Sequence, residues 1–501
     1  MGKKEKFYAS ITALHPEVSG SCIHVCVKHP DGRKNIFIVD CGLFQEKKYE
    51  QLNKEKFPFD CENIDFVLIT HNKTDNMARL PMLTKGGFYK KIYATKATSH
   101  LMGPALMNSY QIMKENAKRM KLKPLYDDTD VENVLMQVVP CELEKTIDVN
   151  DGIKITYCDN GHLIGAGMIL VQISEPGEED INLFFTGDYK PDNLLKEVND
   201  IPDWITELPV TIVIESTYGN IEKSEIKKHF EEDIERLLKD GKSLILPLIA
   251  QERVQSTLYK LKMMQEDGRI SKDIPMSLDG KLAQTYTNMF RNCDLGLSED
   301  KIDFLPENLT MVDKKNRGQI IGYKGQQIIL TTSGMLDHGP AQIYIPEFIE
   351  NENYVFYISN YCAEGTLGRK LLEAEENSTI KLLDNEYQIK ASIMWTEESS
   401  SHGKANELEA LLRKFKHPEL VLINHGEESS QEAFAERVDN AKITKDVELL
   451  SGHSARVTHY GLSKIMGAKL YNMPEIKAKK EKIKEKAKKL KYFKRKACIV
   501  R

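Results

Sequence analysis

The sequence lacks several features that would place it at once in a class of proteins. Its nine cysteines are scattered through 501 residues, and no two of them form a Cys-x-x-Cys pair. This spacing argues against a zinc ribbon, a thioredoxin-like redox site or a disulfide framework. No apolar run reaches the length of a membrane span, and the first residues lack the apolar stretch of a secretory signal. We therefore expect a cytoplasmic protein with free thiols and no membrane partner.

A marked excess of charge is also absent, because 70 lysines and arginines face 75 aspartates and glutamates, for a net charge of -5. The basic residues are unevenly placed. Residues 477–497 hold twelve lysines and arginines against two glutamates, which leaves the remainder of the chain acidic. Such a tail, predicted to be helical over residues 471–501, could attract a polyanion. It could equally be a solvated helix that keeps the protein soluble.

The chain is too long for one ordinary core, so we expect two packed domains and a tail. Up to residue 215, short apolar runs of four or five residues end in loops that carry Asp, His or Glu, which is typical of strands covered on both faces. Residues 97–137 have helical spacing. Strand and helix patterns alternate from residue 225 to about 391, which predicts a second α/β domain with a parallel sheet. Residues 392–470 then return to the first pattern.

Four polar segments follow apolar strands and contain side chains that could bind a metal. The first is the segment 70–76, with His71 and Asp75, and the others contain His162, Asp188 and His425. A single segment of this kind could simply cap the helix that follows it. Imidazoles and carboxylates on several strand ends can instead converge around Zn²⁺, which prefers nitrogen and oxygen ligands of this type.

Nine motifs, taken in order, resemble the β-CASP branch of the metallo-β-lactamase superfamily over roughly residues 8–465. They are VDCGLFQ, LITHNKTDNMARLP, GHLIGAG, FFTGDY, IESTYG, TSGMLDHGPA, NYCAEGTLGR, SSSHGKANEL and NHGEE. The resemblance implies an α/β fold, an αββα metallo-β-lactamase sandwich with an inserted α/β β-CASP domain. The implied divisions are a first lactamase part at 1–215, the β-CASP domain at 216–390, a second lactamase part at 391–470 and a basic helical tail at 471–501.

The same resemblance implies a centre with two metal ions. Its ligands would be His71, His162 and Asp188 for one ion and Asp75, Asp188 and His425 for the other, with Asp40 as a support and Asp75 also as a catalytic candidate. In such a centre two ions activate a hydroxide and stabilise the charge that develops on phosphorus. His402 would then protonate the leaving oxygen, oriented by Glu215.

The sequence departs from the family at the metal motif. The family has His-x-His-x-Asp-His, whereas this chain has Lys73 and Asn76 in place of the second and third histidines. An amide oxygen is a weak ligand for zinc, and a protonated lysine has no lone pair and repels a cation. Lys73 could instead replace the metal by pairing with Asp188 or Asp75.

Three interpretations follow. The first is an RNA-processing protein that binds RNA in an interdomain cleft, with zinc at reduced occupancy or no metal. The second is an active metal-dependent ribonuclease, either an endonuclease or a 5′ exonuclease, that works with one or two ions such as Mn²⁺. The third is a lactamase-type hydrolase of another substrate, since a fold does not fix its chemistry. RNA is the expected partner, and a homodimer or a partner nuclease subunit stays open.

Two further segments are predicted to hold RNA phosphates. Ser333 and Gly334 lie in a glycine-containing loop after an apolar strand, where backbone N–H groups can bind phosphate oxygens. Thr366 and Arg369 lie at the start of a predicted helix, a second place that favours an anion. Arg253, at another junction of strand and helix, is predicted to brace the wall of the cleft.

Overall fold

The structure is a computed structural model that describes residues 7–467 except 16, 224–228, 361, 363–364, 376–377, 383–384, 397, 399 and 452. The predicted basic tail therefore lies outside the described residues. The strands are β1 Tyr8–Ala13, β2 Ile23–Lys28, β3 Lys34–Val39, β4 Phe66–Leu68, β5 Lys91–Thr95, β6 Val138–Cys141, β7 Thr146–Asn150, β8 Ile153–Asp159, β9 Gly167–Ile173, β10 Ile181–Phe185, β11 Pro209–Ile214, β12 Ser243–Pro247, β13 Met276–Asp279, β14 Leu309–Met311, β15 Ile328–Thr331, β16 Tyr354–Ile358, β17 Thr379–Leu382, β18 Asn385–Gln388, β19 Ser392–Trp395, β20 His417–Ile423, β21 Val447–Leu449, β22 His453–Thr458 and β23 Gly461–Gly467.

The α-helices of the described residues are placed between these strands. They are α1 Thr74–Met77, α2 Leu80–Lys85, α3 Lys96–Arg119, α4 Asp128–Gln137, α5 Asp203–Thr206, α6 Phe230–Lys239, α7 Arg253–Glu266, α8 Lys281–Asn292, α9 Arg317–Gly322, α10 Ala341–Phe348, α11 Leu367–Glu373, α12 Ala405–Leu412 and α13 Glu428–Asn440. The helices predicted for residues 97–137 are thus α3 and α4. In the part of the chain that the structure describes, none of the helices is both long and apolar enough to cross a membrane.

Two large sheets form the centre of the molecule. One has the order β23-β22-β1-β2-β3-β4-β5-β6 and the other the order β21-β20-β11-β10-β9-β8-β7. Apolar side chains of both sheets, such as Val25 and Phe37 from the first and Ile169 and Leu183 from the second, form one buried cluster between them. Helices cover the outer faces, as where α12 and α13 pack on the second sheet. The result is the predicted four-layer αββα sandwich.

The third sheet has six strands in the order β14-β13-β15-β12-β16-β19, and every pair in it is parallel. Helices lie between successive strands of this sheet along the chain, as parallel pairing requires. This confirms the expected second α/β unit with a parallel sheet. Its last strand is Ser392–Trp395, just beyond the boundary expected at residue 390, so the domain divisions stay predictions.

The third sheet and its helices share a buried cluster with the first sheet and α3. Leu101 and Met102 of α3 lie in the same cluster as Leu258 of α7 and Tyr286 of α8. The Tyr286 hydroxyl also donates a hydrogen bond of 3.2 Å to the backbone oxygen of Leu101. The inserted unit is therefore packed against the sandwich through apolar contacts and hydrogen bonds.

Candidate metal centre and cleft

The candidate centre lies where several strands of the sandwich end. Strands β8, β10, β11 and β20 run in the same direction, so their carboxyl ends meet at one edge of the second sheet. The loops that follow these four strands carry His162, Asp188, Glu215 and His425 respectively. His71 comes from the loop after β4 of the facing sheet. The topology thus brings together residues that are up to 354 positions apart.

Asp188 is the hub of this constellation and is 2 % exposed. Its Oδ2 atom lies 3.4 Å from His71 Nε2 and 3.4 Å from His162 Nε2, and its Oδ1 atom lies 3.3 Å from His425 Nε2. Burial alone would raise the pKa of Asp188, but His425 and Lys73 hold that pKa well below its usual range. The Asp188 carboxylate is therefore ionised in the folded protein and compensated by its neighbours.

The Lys73 ammonium lies inside the same constellation. Its Nζ atom is 3.3 Å from Asp188 Oδ2, 3.2 Å from His162 Nε2 and 3.5 Å from His402 Nε2. Burial would lower the pKa of Lys73, but Asp75 and Asp188 raise it above the ordinary value. Lys73 is therefore a fixed positive charge beside the central carboxylate.

His71, His162 and Asp188 place one ligand atom each within 4.8 Å of one another. Two ligands of a tetrahedral zinc ion, each about 2.1 Å from the metal, are about 3.4 Å apart, which is the separation found here. However, Lys73 Nζ stands at a similar distance from His162 and Asp188, in the position of a further ligand. An ammonium in that position offers no lone pair and repels a cation, so the charge of Lys73 opposes the binding of zinc to this set.

The second set of predicted ligands is placed differently. The structure groups Asp188 with His402 and His425, and Asp75 lies outside both clusters of the described residues. The Asn76 amide donates a hydrogen bond of 3.0 Å to Asp40 Oδ2. This bond holds the Asn76 side chain against the supporting carboxylate. The described residues therefore form two overlapping groups of possible ligands that share Asp188, and neither group includes Asp75.

Asp40 lies beneath the centre and is fully enclosed. It accepts hydrogen bonds from the Thr70 backbone N–H at 2.9 Å and from Asn76, and it adopts a φ of 62°. Burial raises the pKa of Asp40 to about 6, although His71 and the Asn76 hydrogen bond oppose the rise. Asp40 thus connects the loop that carries His71 to the helix that carries Asn76.

Glu215 and His402 form the predicted pair. His402 Nδ1 lies 2.9 Å and 3.0 Å from the two carboxylate oxygens of Glu215, which fixes the imidazole with Nε2 towards Asp188 at 3.9 Å. Burial would raise the pKa of Glu215, but His402 keeps it below its ordinary value. The structure therefore preserves an imidazole held by a buried carboxylate next to the centre.

The two predicted phosphate segments adjoin each other on the inserted unit. The Gly368 N–H donates to the backbone oxygen of Met335 at 2.9 Å, which links the helix start to the loop of Ser333 and Gly334. The Thr366 hydroxyl accepts a hydrogen bond from the Arg369 N–H and so caps α11. Arg369 Nε donates to Glu373 at 2.9 Å in a partly exposed pair.

Gln251 and Glu252 of the inserted unit, which the sequence did not single out, join that unit to the centre. Asn72 and Gln251 exchange hydrogen bonds of 2.7 Å and 2.9 Å through their side-chain amides. Glu252 accepts hydrogen bonds of 2.5 Å from the Ile164 N–H and 2.5 Å from the Asn193 amide, and its φ is 66°. The only sequence signal was a polar Gln-Glu pair directly after an apolar strand.

Replacing Glu252 by alanine should lower the free energy of unfolding by about 2 kcal/mol, because the Ile164 N–H and the Asn193 amide would lose a charged acceptor in a buried place. Urea denaturation would measure this loss. The matched control is Glu266→Ala at the exposed end of α7, whose ion pair with Lys262 is 3.7 Å long and near the surface, and it should cost less than about 0.5 kcal/mol. Equal effects of the two substitutions would contradict the assigned contact.

Comparisons with known families agree with this geometry. Residues 254–371 match the Beta-Casp domain, and residues 386–450 match the Zn-dependent metallo-hydrolase RNA specificity domain. Transcription termination factor FttA of Lokiarchaeum sp. is 28 % identical over 82 % of this chain and 65 % of its own length. Ribonuclease TTHA0252 of Thermus thermophilus is 27 % identical over 82 % of this chain and 91 % of its own length. The chain thus spans about two thirds of the FttA protein.

The four-layer sandwich, the parallel insert and the cluster of His and Asp at the strand ends define a metallo-β-lactamase fold with an inserted α/β domain. The two matching domains and the relatives support placing the chain in the β-CASP branch of the metallo-β-lactamase superfamily.

Proposed function

We propose that this chain binds RNA in the cleft between the sandwich and the inserted unit, and that it does so without hydrolysis by two metal ions. The observation that carries the second part is the Lys73 ammonium, 3.3 Å from Asp188 and 3.2 Å from His162. RNA as the ligand is supported by the match to an RNA specificity domain and by the relatives, which include a ribonuclease and a transcription termination factor.

Under this proposal Lys73 takes over the electrostatic role of a metal but not its chemistry. A fixed ammonium compensates the buried Asp188 carboxylate and so keeps the loops of the centre together. It does not lower the pKa of a bound water, which is how a metal supplies hydroxide at neutral pH. The centre would then persist as a structural element at the base of the cleft.

The grip on RNA would come from the inserted unit. Backbone N–H groups near Ser333 and Gly334 and the start of α11 near Thr366 are the proposed phosphate contacts. Arg369 would join them by leaving Glu373. Because that pair is partly exposed, breaking it costs little.

An active ribonuclease is the second candidate, supported by the pair of Glu215 and His402 and by the 3.4 Å separations of His71 and His162 from Asp188. Cleavage would then require added zinc or manganese, and the ion would fill only part of the sites. For both candidates we also propose a cytoplasmic location and domain divisions at residues 215, 390 and 470. Each candidate could act as a homodimer or with a partner nuclease subunit.

The test combines three measurements on the full chain. Metal content is determined by mass spectrometry after equilibration with Zn²⁺ and Mn²⁺, and binding and cleavage of a labelled single-stranded RNA are followed in parallel. We expect RNA binding that survives chelation by EDTA, little retained metal and no cleavage. One or two tightly held ions together with metal-dependent cleavage would favour the ribonuclease, and an absence of RNA binding would reject both candidates.

A further inference from the structure

Arg253 is an unusual cation in this molecule because its guanidinium has no hydrogen-bonded partner among the described residues. It is the first residue of α7 and is only partly exposed. Within that part of the chain its side chain also forms no ion pair, whereas Arg269, Arg317 and Arg437 each bind carboxylates. A guanidinium is charged at any ordinary pH and carries five donors, and no side chain or backbone oxygen of the described residues accepts from them.

The surroundings of Arg253 explain why the nearest carboxylate does not pair with it. The neighbouring Glu252 carboxylate is engaged by the Ile164 N–H and by Asn193, on the side of the sandwich. Burial lowers the pKa of Arg253, and its interactions with the Glu252 carboxylate and the Tyr218 phenol only partly offset this effect. A desolvated cation without a hydrogen-bonded partner costs free energy, and an anion from outside would remove that cost.

The position of Arg253 is close to the candidate centre. Gln251 and Glu252, which precede Arg253, bond to Asn72 and to the Ile164 N–H, each within two residues of His71 or His162. The Tyr218 ring lies 6.2 Å from the ring of His402. The Lys404 ammonium approaches the same tyrosine, with Nζ 3.2 Å from the ring centroid. Lys404 from the sandwich therefore lies on an aromatic ring beside His402, and Arg253 from the insert begins the helix next to the centre.

We propose that Arg253 binds a phosphate group of the RNA backbone next to His402, through paired N–H donors of its guanidinium. A planar guanidinium matches two phosphate oxygens at once, which a lysine cannot do. This inference rests on the proposed RNA binding and adds a phosphate contact on the centre's side of the cleft, apart from the loops of Ser333 and Thr366.

This assignment replaces the bracing role predicted from the sequence. A brace of the cleft wall needs a partner on the opposite wall, and Arg253 has none among the described residues. The joining of the two walls is done instead by Gln251 and Glu252, whose side chains contact Asn72, Ile164 and Asn193. Arg253 follows them in sequence and is left available for a ligand.

The two roles differ in what a substitution does to stability. Removing a brace destabilises the protein, whereas removing a desolvated and unpaired charge leaves its stability unchanged or higher. We therefore expect Arg253→Met to have a melting temperature at least equal to that of the wild type. The same variant should bind single-stranded RNA about 10- to 100-fold more weakly, as expected for the loss of charge-assisted hydrogen bonds.

The experiment compares the full wild-type chain with Arg253→Met, Arg253→Lys and the control Arg291→Met, an exposed arginine near the end of α8. RNA affinity is measured by fluorescence polarisation over a series of salt concentrations. Arg253→Met should reduce the slope of log affinity against log salt by about 0.7, the value for one phosphate contact on a single strand. Arg253→Lys should restore the slope but only part of the affinity, and Arg291→Met should change neither.

Inorganic phosphate serves as a second probe, so that failure of the inference is distinguishable from failure of the proposed function. Phosphate should raise the melting temperature of the wild type more than that of Arg253→Met at equal ionic strength. If the wild type binds RNA and Arg253→Met binds it equally with the same salt slope, the inference is overturned and RNA binding stands. If the wild type binds no RNA, the proposed function fails, and a phosphate effect that needs Arg253 would still support an anion site. Loss of stability in Arg253→Met with unchanged affinity would restore the bracing role.

Discussion

Replacing Lys73 and Asn76 together by histidine should raise the zinc retained after equilibration to about one or two ions per chain, because the imidazoles would complete a set of neutral ligands. The Lys73→His change would remove the ammonium from the space between His162 and Asp188 and supply a lone pair to the set that already has tetrahedral spacing. The Asn76→His change would free Asp40 from the Asn76 amide. Mass spectrometry of the purified protein measures the outcome, with metal-dependent cleavage of RNA as a second readout.

The matched control for this double variant is Lys73→Met with Asn76→Gln, which removes the charge without adding a strong ligand. We expect that control to retain no more zinc than the wild type. A thermal shift on adding Zn²⁺, present only in the histidine variant, would confirm that the metal binds the folded state. If the histidine variant retains no additional metal, Lys73 and Asn76 are not what prevents binding.

Replacing Lys73 alone by methionine should lower the free energy of unfolding at pH 7 by about 3 kcal/mol, since it leaves the buried Asp188 carboxylate without its ammonium. The effect is placed at the low end for a buried pair because the Lys73 side chain is 24 % exposed. Urea denaturation of Lys73→Met, Asp188→Asn and the double variant gives a double-mutant cycle. The double variant should lose less stability than the sum of the single losses.

The pH dependence of this loss has a defined sign. The pKa of Asp188 is depressed in the folded protein, so its stabilising contribution is complete above the unfolded value of 3.8 and is lost as the pH falls through the folded pKa. The difference between wild type and Lys73→Met should therefore be largest near neutral pH and shrink below about pH 4. A difference that stays constant from pH 7 to pH 3 would show that Asp188 is not the partner that matters.

The sequence predicted much of the fold and the centre, for a physical reason. Apolar runs followed by His, Asp or Glu mark the carboxyl ends of strands, and parallel strands bring such ends to one edge. His71 and His162 accordingly each lie 3.4 Å from Asp188, and Glu215 contacts His402. The sequence left two possible ion-pair partners for Lys73, Asp188 and Asp75. In the structure the Lys73 ammonium pairs with Asp188.

Contacts between distant segments could not be predicted in the same way. The paired hydrogen bonds between Asn72 and Gln251 join residues 179 positions apart. Neither an asparagine nor a glutamine in a sequence indicates which distant residue it will bond to. The same limit applies to Arg253. The sequence does not show that its guanidinium lacks a hydrogen-bonded partner among the described residues, and the proposed phosphate contact depends on that. Asp75 shows a different limit, because its place in the metal motif did not ensure that its carboxylate reaches the cluster of Asp188 and His425.

The apolar cluster shared by α3, α7 and α8 bears on how a protein of this kind can change over time. One continuous apolar interior contains Leu101, Met102, Leu258 and Tyr286. Removing or exchanging the insert would therefore expose apolar side chains of the sandwich. Altering two positions at the centre, by contrast, leaves that interior untouched. The architecture of such a protein can therefore be kept while residues of the centre change.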